Sequence, residues 1–330
     1  MEWTVAIGID THRDRHVAVA LDRLGRRLGS LEFAVDERGF AELVCFARSL
    51  GEPAFAIEGT GSYGASLTRA LLADGLLVFE CERPERRRRG SKNDLLDAES
   101  AARRLLTGKP LARPREGSER ELLRLLLVER RSAQHGRQQA CNQLQAAIIT
   151  LDPALRERLA RRRPAALARS SLLRRDPGLA PLRRLVRRIV LLEQELAEID
   201  RELAQLTKRL CPTLLAEQGI GPLCAAQVLV SAADPSRLRG EPAFAALAGV
   251  SPIEASSGPL RRHRLNRGGD RQLNWAIHMS ALNRIRYHPE TRSYYERLLD
   301  RGKTKREAIR IVKRALARRL YRAITAAPTA

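Results

Sequence analysis

Val5-Ala6-Ile7-Gly8-Ile9-Asp10 is a short β-prone run that ends in a carboxylate, so a strand buried along its length presents the acid at its exposed tip. One Asp there has an ordinary explanation, because Asp commonly ends a strand by hydrogen-bonding the following turn. A second run changes the reading. Ala54-Phe55-Ala56-Ile57 leads into Glu58, then Gly59-Thr60-Gly61-Ser62 and an apolar helical stretch from Tyr63 to Leu72. A Glu at the end of a buried strand is costly unless something positive meets it.

A third stretch, Lys92-Asn93-Asp94-Leu95-Leu96-Asp97-Ala98-Glu99, runs into Ala101, Ala102, Leu105 and Leu106. Asn93 or Asp94 can cap this helix, and carboxylates in a first turn are favoured by the helix dipole. Asp97 has no such duty. Three residues apart on a helix, Asp94 and Asp97 share a face and can address the same ion or ions, whereas Glu99 points elsewhere. Oxygen ligands of this kind suit Mg²⁺ or Mn²⁺, and two ions about 3.5–4 Å apart activate an attacking oxygen and stabilise a leaving one. Asp10, Glu58, Asp94 and Asp97 are therefore the candidate catalytic and metal-binding residues, in the pattern of a two-metal nuclease.

The first third of the chain reads as strands near 3–10, 16–24 and 27–35, a helix near 38–50, a strand near 53–58, a helix near 63–74, a strand near 76–82 and a helix near 93–107. Three consecutive strands followed by alternating helices and strands make a mixed sheet covered by helices. This order resembles the ribonuclease-H-like (RuvC-like) fold of Holliday-junction resolvases, which also carries acids on its first strand, its fourth strand and its last helix.

Sixty Lys and Arg stand against 38 Asp and Glu, a net charge of +22. Such a charge attracts polyanions and makes their binding salt-dependent. Only six of the cations are Lys. Arg offers bidentate phosphate contacts, although an Arg- and Ala-rich composition also follows from a GC-rich genome. Arg86, Arg87, Arg88, Arg89 and Lys92 lie directly before Asp94 and Asp97, a position suited to steering a nucleic-acid backbone rather than only to solvating a loop. The aromatic content is 4%, which argues against a base-stacking platform. No apolar stretch approaches the ~20 residues that span a bilayer, and Met1-Glu2-Trp3-Thr4 does not open a signal peptide, so a cytoplasmic location is expected. Five cysteines, at 45, 81, 141, 211 and 224, fit neither a zinc pattern nor a disulfide framework.

Leu182, Leu185, Ile189, Leu192, Leu196, Ile199, Leu203, Leu206 and Leu210 alternate spacings of three and four, an a/d seam between Pro181 and Pro212. An earlier helical stretch near 116–151 ends in Asp152-Pro153. The two form an antiparallel hairpin, or either mates with another protomer in a dimer or tetramer; the spacing fits both. Three regions are expected: 1–110, the sheet domain; 111–212, a helical coiled-coil connector; and 213–330, a mainly helical domain.

Within the last region, Gln218-Gly219-Ile220-Gly221-Pro222 before an apolar helix resembles the hairpin of a helix-hairpin-helix motif, whose backbone amides approach a phosphate; it also fits an ordinary helix connector. Ser256-Ser257-Gly258-Pro259 follows, with Arg261, Arg262, Arg264 and Arg267 after it, a loop where a phosphate can dock.

The whole arrangement is similar to the DEDD transposases of bacterial insertion sequences, the IS-one-ten family, over nearly the full chain: Gly8-Ile9-Asp10, Ile57-Glu58-Gly59, Asp94-Leu95-Leu96-Asp97-Ala98, the heptad connector, Gly219-Ile220-Gly221-Pro222 and Ser256-Ser257-Gly258 occur in the family's order. The resemblance implies a resolvase-like domain, a coiled coil and a transposase domain with a nucleophilic serine. It also implies transposition of donor into target DNA, guided by a bridge RNA, in a nucleoid-associated bacterial protein. The family's serine directly precedes a Gly, which places it on Ser257. The following Arg264-Leu265-Asn266-Arg267-Gly268-Gly269-Asp270 departs from the family's basic stretch. The implied chemistry is a phosphoserine linkage to DNA; the competing reading is a RuvC-like endonuclease that cuts branched DNA with metal-activated water.

Overall fold

The computed structural model describes residues 3–81, 93–108, 111–114, 118–159, 162–170, 173, 175–232, 238–255, 263–264 and 266–326. The chain divides into two units, 1–116 and 117–330.

The first unit runs β1 (Val5–Thr11), β2 (Arg15–Leu21), β3 (Arg27–Ala34), α1 (Glu37–Leu50), β4 (Pro53–Glu58), α2 (Ala65–Ala73), β5 (Leu77–Cys81) and α3 (Asp94–Leu106). Its five strands lie in the order β3-β2-β1-β4-β5, with β1, β2 and β3 antiparallel and β1, β4 and β5 parallel. This mixed, helix-covered sheet is consistent with the ribonuclease-H-like expectation. Where the expected second strand ran to residue 24, β2 stops at Leu21, because Asp22 folds the chain back: its Oδ1 accepts from the amides of Leu24 at 2.9 Å and Arg26 at 2.8 Å.

Alternation sorts the central strands onto two faces of unequal bulk. Val5, Ile7 and Ile9 of β1 and Phe55 and Ile57 of β4 enter a core with Leu43 of α1 and Leu67 and Leu71 of α2. The other face carries Ala6 and Ala56, which meet Ala98, Ala101 and Ala102 of α3. Between them lies Gly8. A Cβ there would stand 2.0 Å from the Ala98 carbonyl oxygen and 2.2 Å from the Ala102 nitrogen. Helix α3 therefore rests on bare backbone.

The second unit runs α4 (Ser118–Ile149), α5 (Pro153–Leu159), α6 (Pro164–Ala168), α7 (Ala180–Leu210), α8 (Pro212–Ala216), α9 (Pro222–Ala232), α10 (Glu241–Leu247), β6 (Ile253–Glu254), β7 (His263–Arg264), α11 (Arg271–Tyr287), α12 (Pro289–Asp300) and α13 (Lys305–Thr325). The two long helices pair antiparallel. Arg130 meets Asp200 at 2.6 Å, Arg137 meets Glu193 at 2.8 Å, and Arg209 ion-pairs with Glu119, so contacts advance on one helix as they retreat on the other. Leu182, Ile189, Leu196, Ile199, Leu203 and Leu206 of the heptad pattern are buried. Much of the seam is thus covered within one chain, and a second protomer binding along it would have to displace α4.

The connector runs without a break into the helices that follow it: Ile199, Leu203 and Leu206 of α7 and Leu123, Leu126 and Leu127 of α4 share one continuous core with Leu214, Phe244, Ile277 and Leu316. The helical pair expected over 111–212 is thereby rooted in the helices expected to begin at 213. Among the described residues, no helix is long and apolar enough to cross a membrane.

Candidate functional site

Asp10 and Glu58 follow Gly8 and Ala56 by the period of two, so both side chains belong to the face that carries α3. Ile9 pairs with Ile57 in the parallel register, which leaves the two acids next in line on neighbouring strands. Thr11 ties the ends together, its hydroxyl donating to the Glu58 carbonyl oxygen at 2.8 Å. Gly59 then turns the chain with φ of +70°, a conformation that suits a residue without a Cβ.

Helix α3 brings the other two acids. Asn93 is its cap, with the side-chain oxygen accepting from the Leu95 amide at 3.0 Å. Asp94 and Asp97 are therefore released from capping and remain in the first turn, where the helix dipole favours negative charge. The close seating of Ala98 on Gly8 fixes the height of that turn above β1.

Asp10 is buried, with 8% of its surface exposed. Burial pushes its carboxyl above the usual carboxylate range; His12 opposes the rise, and the charges of Asp94, Glu58 and Asp97 add to it. The other three predicted acids thus all act electrostatically on Asp10. His12 completes the cluster. Its Nε2 lies 3.2 Å from Asp10 Oδ2 and 3.2 Å from Asp94 Oδ2. These three residues each offer a ligand-type atom within 4.8 Å of the others. The reading of the sequence by carboxylates alone misses His12, which stands one residue past the end of β1. Its backbone amide donates to His16 Nδ1 at 3.2 Å, and His16 is itself buried edge-on against Phe33.

Neither 3.2 Å contact of His12 has the angles of a hydrogen bond, and Asp10 Oδ2 and His12 Nε2 are both buried without a hydrogen-bond partner among the described residues. Orphaned polar atoms of this kind are rare in folded proteins and point to an unaccounted ligand. The donor set of Asp10, His12 and Asp94 is of a kind that suits a divalent cation; Glu58 and Asp97 are not in this group, although their charges act on Asp10.

In the second unit, Ser251 and Pro252 on one side of the serine segment and His263 and Arg264 on the other line a cavity of about 560 Å³. Lys303, Arg310, Lys313, Arg314 and Arg318 make its wall basic. Glu307 also lines it but is engaged in the capping box of α13, accepting from the Thr304 amide at 2.9 Å. Lys313 is almost wholly buried and donates to Asn274 Oδ1 at 2.7 Å, while Asn274 Nδ2 donates to the Ala248 carbonyl oxygen at 2.7 Å. Burial holds the Lys313 amine below its usual range. Arg264 and Arg267 are exposed. The Arg267-Gly268-Gly269-Asp270 turn serves the fold directly, since Asp270 caps α11 by accepting from the Gln272 amide at 2.7 Å.

Gly219 has φ of +86°, and a Cβ on it would meet Arg284 Cγ at 2.7 Å. Arg284, 4% exposed, donates to the Gln218 carbonyl oxygen at 2.8 Å and pairs with Glu217. Packing therefore accounts for the first glycine of that turn, whereas a Cβ on Gly221 meets nothing within 4 Å. Ser256, Ser257, Arg261, Arg262, Arg86, Arg87, Arg88, Arg89 and Lys92 lie outside the described residues.

Residues 7–153 match the IS110 DEDD model, described as Transposase, and residues 211–296 match the model described as Transposase IS116/IS110/IS902 family. The chain belongs to the IS110 family of DEDD transposases. The first match spans Asp10, His12, Glu58, Asp94 and Asp97, and the second spans Ser257, Arg264 and Arg267. The chain is 26% identical over 350 residues to the insertion element IS116 uncharacterized 44.8 kDa protein of Streptomyces clavuligerus, covering 88% of this chain and 86% of that one. It is 36% identical over 101 residues to the insertion element IS110 uncharacterized 43.6 kDa protein of Streptomyces coelicolor, covering 30% of this chain and 25% of that relative. A third relative, the insertion element IS900 uncharacterized 42 kDa protein of Mycobacterium paratuberculosis, is 29% identical over 140 residues, 34% of its length.

Proposed function

We propose that this family member cuts DNA and exchanges its strands during transposition of an insertion element, with divalent ions held on Asp10, Glu58, Asp94 and Asp97 and Ser257 as the nucleophile. The observation that carries the metal reading is Asp10: a carboxylate more than nine-tenths buried, among three further acids, with Oδ2 lacking a hydrogen-bond partner among the described residues. Divalent ions, when bound, stabilise the charge that develops on a phosphate under attack.

The chain's own residues divide the remaining work. Ser257 Oγ forms a bond to phosphorus as the bond to the departing sugar oxygen breaks; the serine gives up its proton, and the departing oxygen takes one up. The basic wall around Lys313 and Arg264 supports a phosphate beside the serine segment. Arg86, Arg87, Arg88, Arg89, Lys92, Arg261, Arg262 and Arg267 contact nucleic-acid backbones, and the +22 charge supports a chain that holds both DNA and a guide (bridge) RNA. A second copy of the chain completes the assembly.

The test incubates purified protein with the ends of its element, the flanking structured RNA and Mg²⁺. A protein–DNA adduct that survives denaturation, together with joined product, is the expected result. Hydrolysed ends without any adduct would overturn the serine assignment in favour of a metal-activated water. Activity indifferent to chelation would overturn the role of the acids.

A further inference from the structure

We infer that the ion position beside Asp10 and Asp94 is a mixed oxygen–nitrogen site in which His12 Nε2 is a ligand, and that it selects Mn²⁺ over Mg²⁺. This rests on the reading of the four acids as metal ligands given above. Two observations lead there. His12 Nε2 is equidistant from the two carboxylate oxygens at 3.2 Å. Adjacent ligands on an octahedral ion with bonds of about 2.1 Å stand about 3 Å apart, so that spacing is the one a shared ion requires. Asp10 Oδ2 and His12 Nε2 are buried and unpartnered, although they are near neighbours.

The competing role for His12 is an imidazolium that neutralises the two acids. Such a cation aims an N–H along the line to one of its carboxylates, because charge-assisted hydrogen bonds are short and well aligned. Neither contact has hydrogen-bond geometry. Two ligand-type atoms that stand side by side with no hydrogen bond between them are arranged for a third body between them.

The scaffold around His12 is that of a placed ligand. Its amide is held by His16 Nδ1 at 3.2 Å, and the preceding Thr11 is paired in register with His16 and bonded to the Glu58 carbonyl oxygen. Asp94 comes from the helix whose height Gly8 sets. Three separate backbone constraints thus converge on one point.

The selectivity follows from the donor. Mg²⁺ keeps its waters and favours oxygen, whereas an imidazole nitrogen strengthens binding of first-row transition ions relative to it. Manganese accepts both carboxylate oxygen and imidazole nitrogen.

The experiment titrates Mn²⁺ into the full chain, follows the free ion by electron paramagnetic resonance, and records the pulsed spectrum of the bound ion. Nitrogen hyperfine modulation is expected in the wild type and is expected to vanish in His12→Gln. The Mn²⁺-over-Mg²⁺ preference, measured by competition, is expected to fall about tenfold in that variant. Asp10→Asn separates the two levels of the argument. If Mn²⁺ does not bind, or binds equally well to Asp10→Asn, the carboxylate reading itself fails. If Mn²⁺ binding needs Asp10 but the wild-type spectrum lacks nitrogen modulation, or the modulation persists in His12→Gln, only the role of His12 is overturned. The wild-type spectrum decides without depending on the folding of any variant.

Discussion

Gly8 and Ala98 are in backbone contact: a Cβ on Gly8 would lie 2.0 Å from the Ala98 carbonyl oxygen. The first strand and the helix that carries Asp94 and Asp97 are thereby set at a separation that only glycine permits. Gly8→Ala forces α3 away from the sheet, at a cost of about 1–3 kcal/mol for an overpacked core. Thermal melting should show that loss, and Mn²⁺ titration should show weaker binding, because Asp94 and Asp97 move while Asp10 stays. A variant that melts lower yet binds the ion normally would show that the separation is not what assembles the acids.

Asp10→Asn should stabilise the protein in the presence of a chelator. Burial and the neighbouring Asp94, Glu58 and Asp97 raise the Asp10 pKa. Above the ordinary carboxylate value of 3.8 the folded chain therefore retains a proton that the unfolded chain has lost, and stability falls as pH rises through that window. Removing the charge relieves this, by about 0.5–2 kcal/mol as for other strained functional groups. Melting with chelator should place the variant above the wild type near neutral pH, and added Mn²⁺ should reverse or narrow the order. A lower melting point in chelator contradicts the account of Asp10.

Lys313 gives a pH dependence of the opposite slope. Burial lowers its pKa below 10.5, so between the lowered value and 10.5 the folded chain lacks a proton that the unfolded chain still holds. Stability rises with pH in that interval. Lys313→Met removes the titrating group, so any advantage of the variant over wild type should shrink as pH rises from the lowered value toward 10.5. A difference in melting temperature that does not change over the range would mean that the amine is not held in its neutral-favouring surroundings.

Ser257→Ala should abolish the covalent protein–DNA adduct and leave nucleic-acid binding within about twofold of wild type, since one hydroxyl among many phosphate contacts adds little to affinity. Ser256→Ala should retain the adduct. Denaturing gels with end-labelled DNA distinguish the two, and an adduct that survives in Ser257→Ala but not in Ser256→Ala moves the nucleophile by one residue.

Thiol chemistry offers a check of the first unit's core. Burial pushes the Cys81 thiol up to about 11, while Cys45 is exposed. A thiol reagent at neutral pH should label Cys45 rapidly and Cys81 only on unfolding. Labelling of Cys81 in the native protein would show that β5 opens.

Much of this site is legible in the chain, because two of its determinants are local. A carboxylate after an alternating apolar run, as at Asp10 and Glu58, and two carboxylates one helical turn apart, as at Asp94 and Asp97, advertise their geometry through periods of two and of about 3.6. The choice between Asn93 and Asp94 as cap is not settled by residue type, because either side chain satisfies the amides of a first turn; the structure gives the role to Asn93. His12 is hidden for a similar reason, since it stands past the end of β1, where alternation no longer predicts direction. The heptad run predicts an apolar stripe but not its occupant, and the occupant, α4, is identified by ion pairs such as Arg137 with Glu193 that lie 56 residues apart. Arg284 reads as one more cation among sixty and is instead the buried brace of the Gly219 turn.

The cap that Asn93 supplies to α3 also bears on how the ion arrives. A helix whose first amides were satisfied only by Asp94 would face a conflict whenever that carboxylate turned toward a cation, and loading would then require the helix end to fray and re-form. With the amide of Leu95 bound to Asn93, the carboxylates can change partners while the backbone stays still. On the proposed metal reading, capture of the ion is then an event of side chains alone, and the empty and loaded proteins would share one framework.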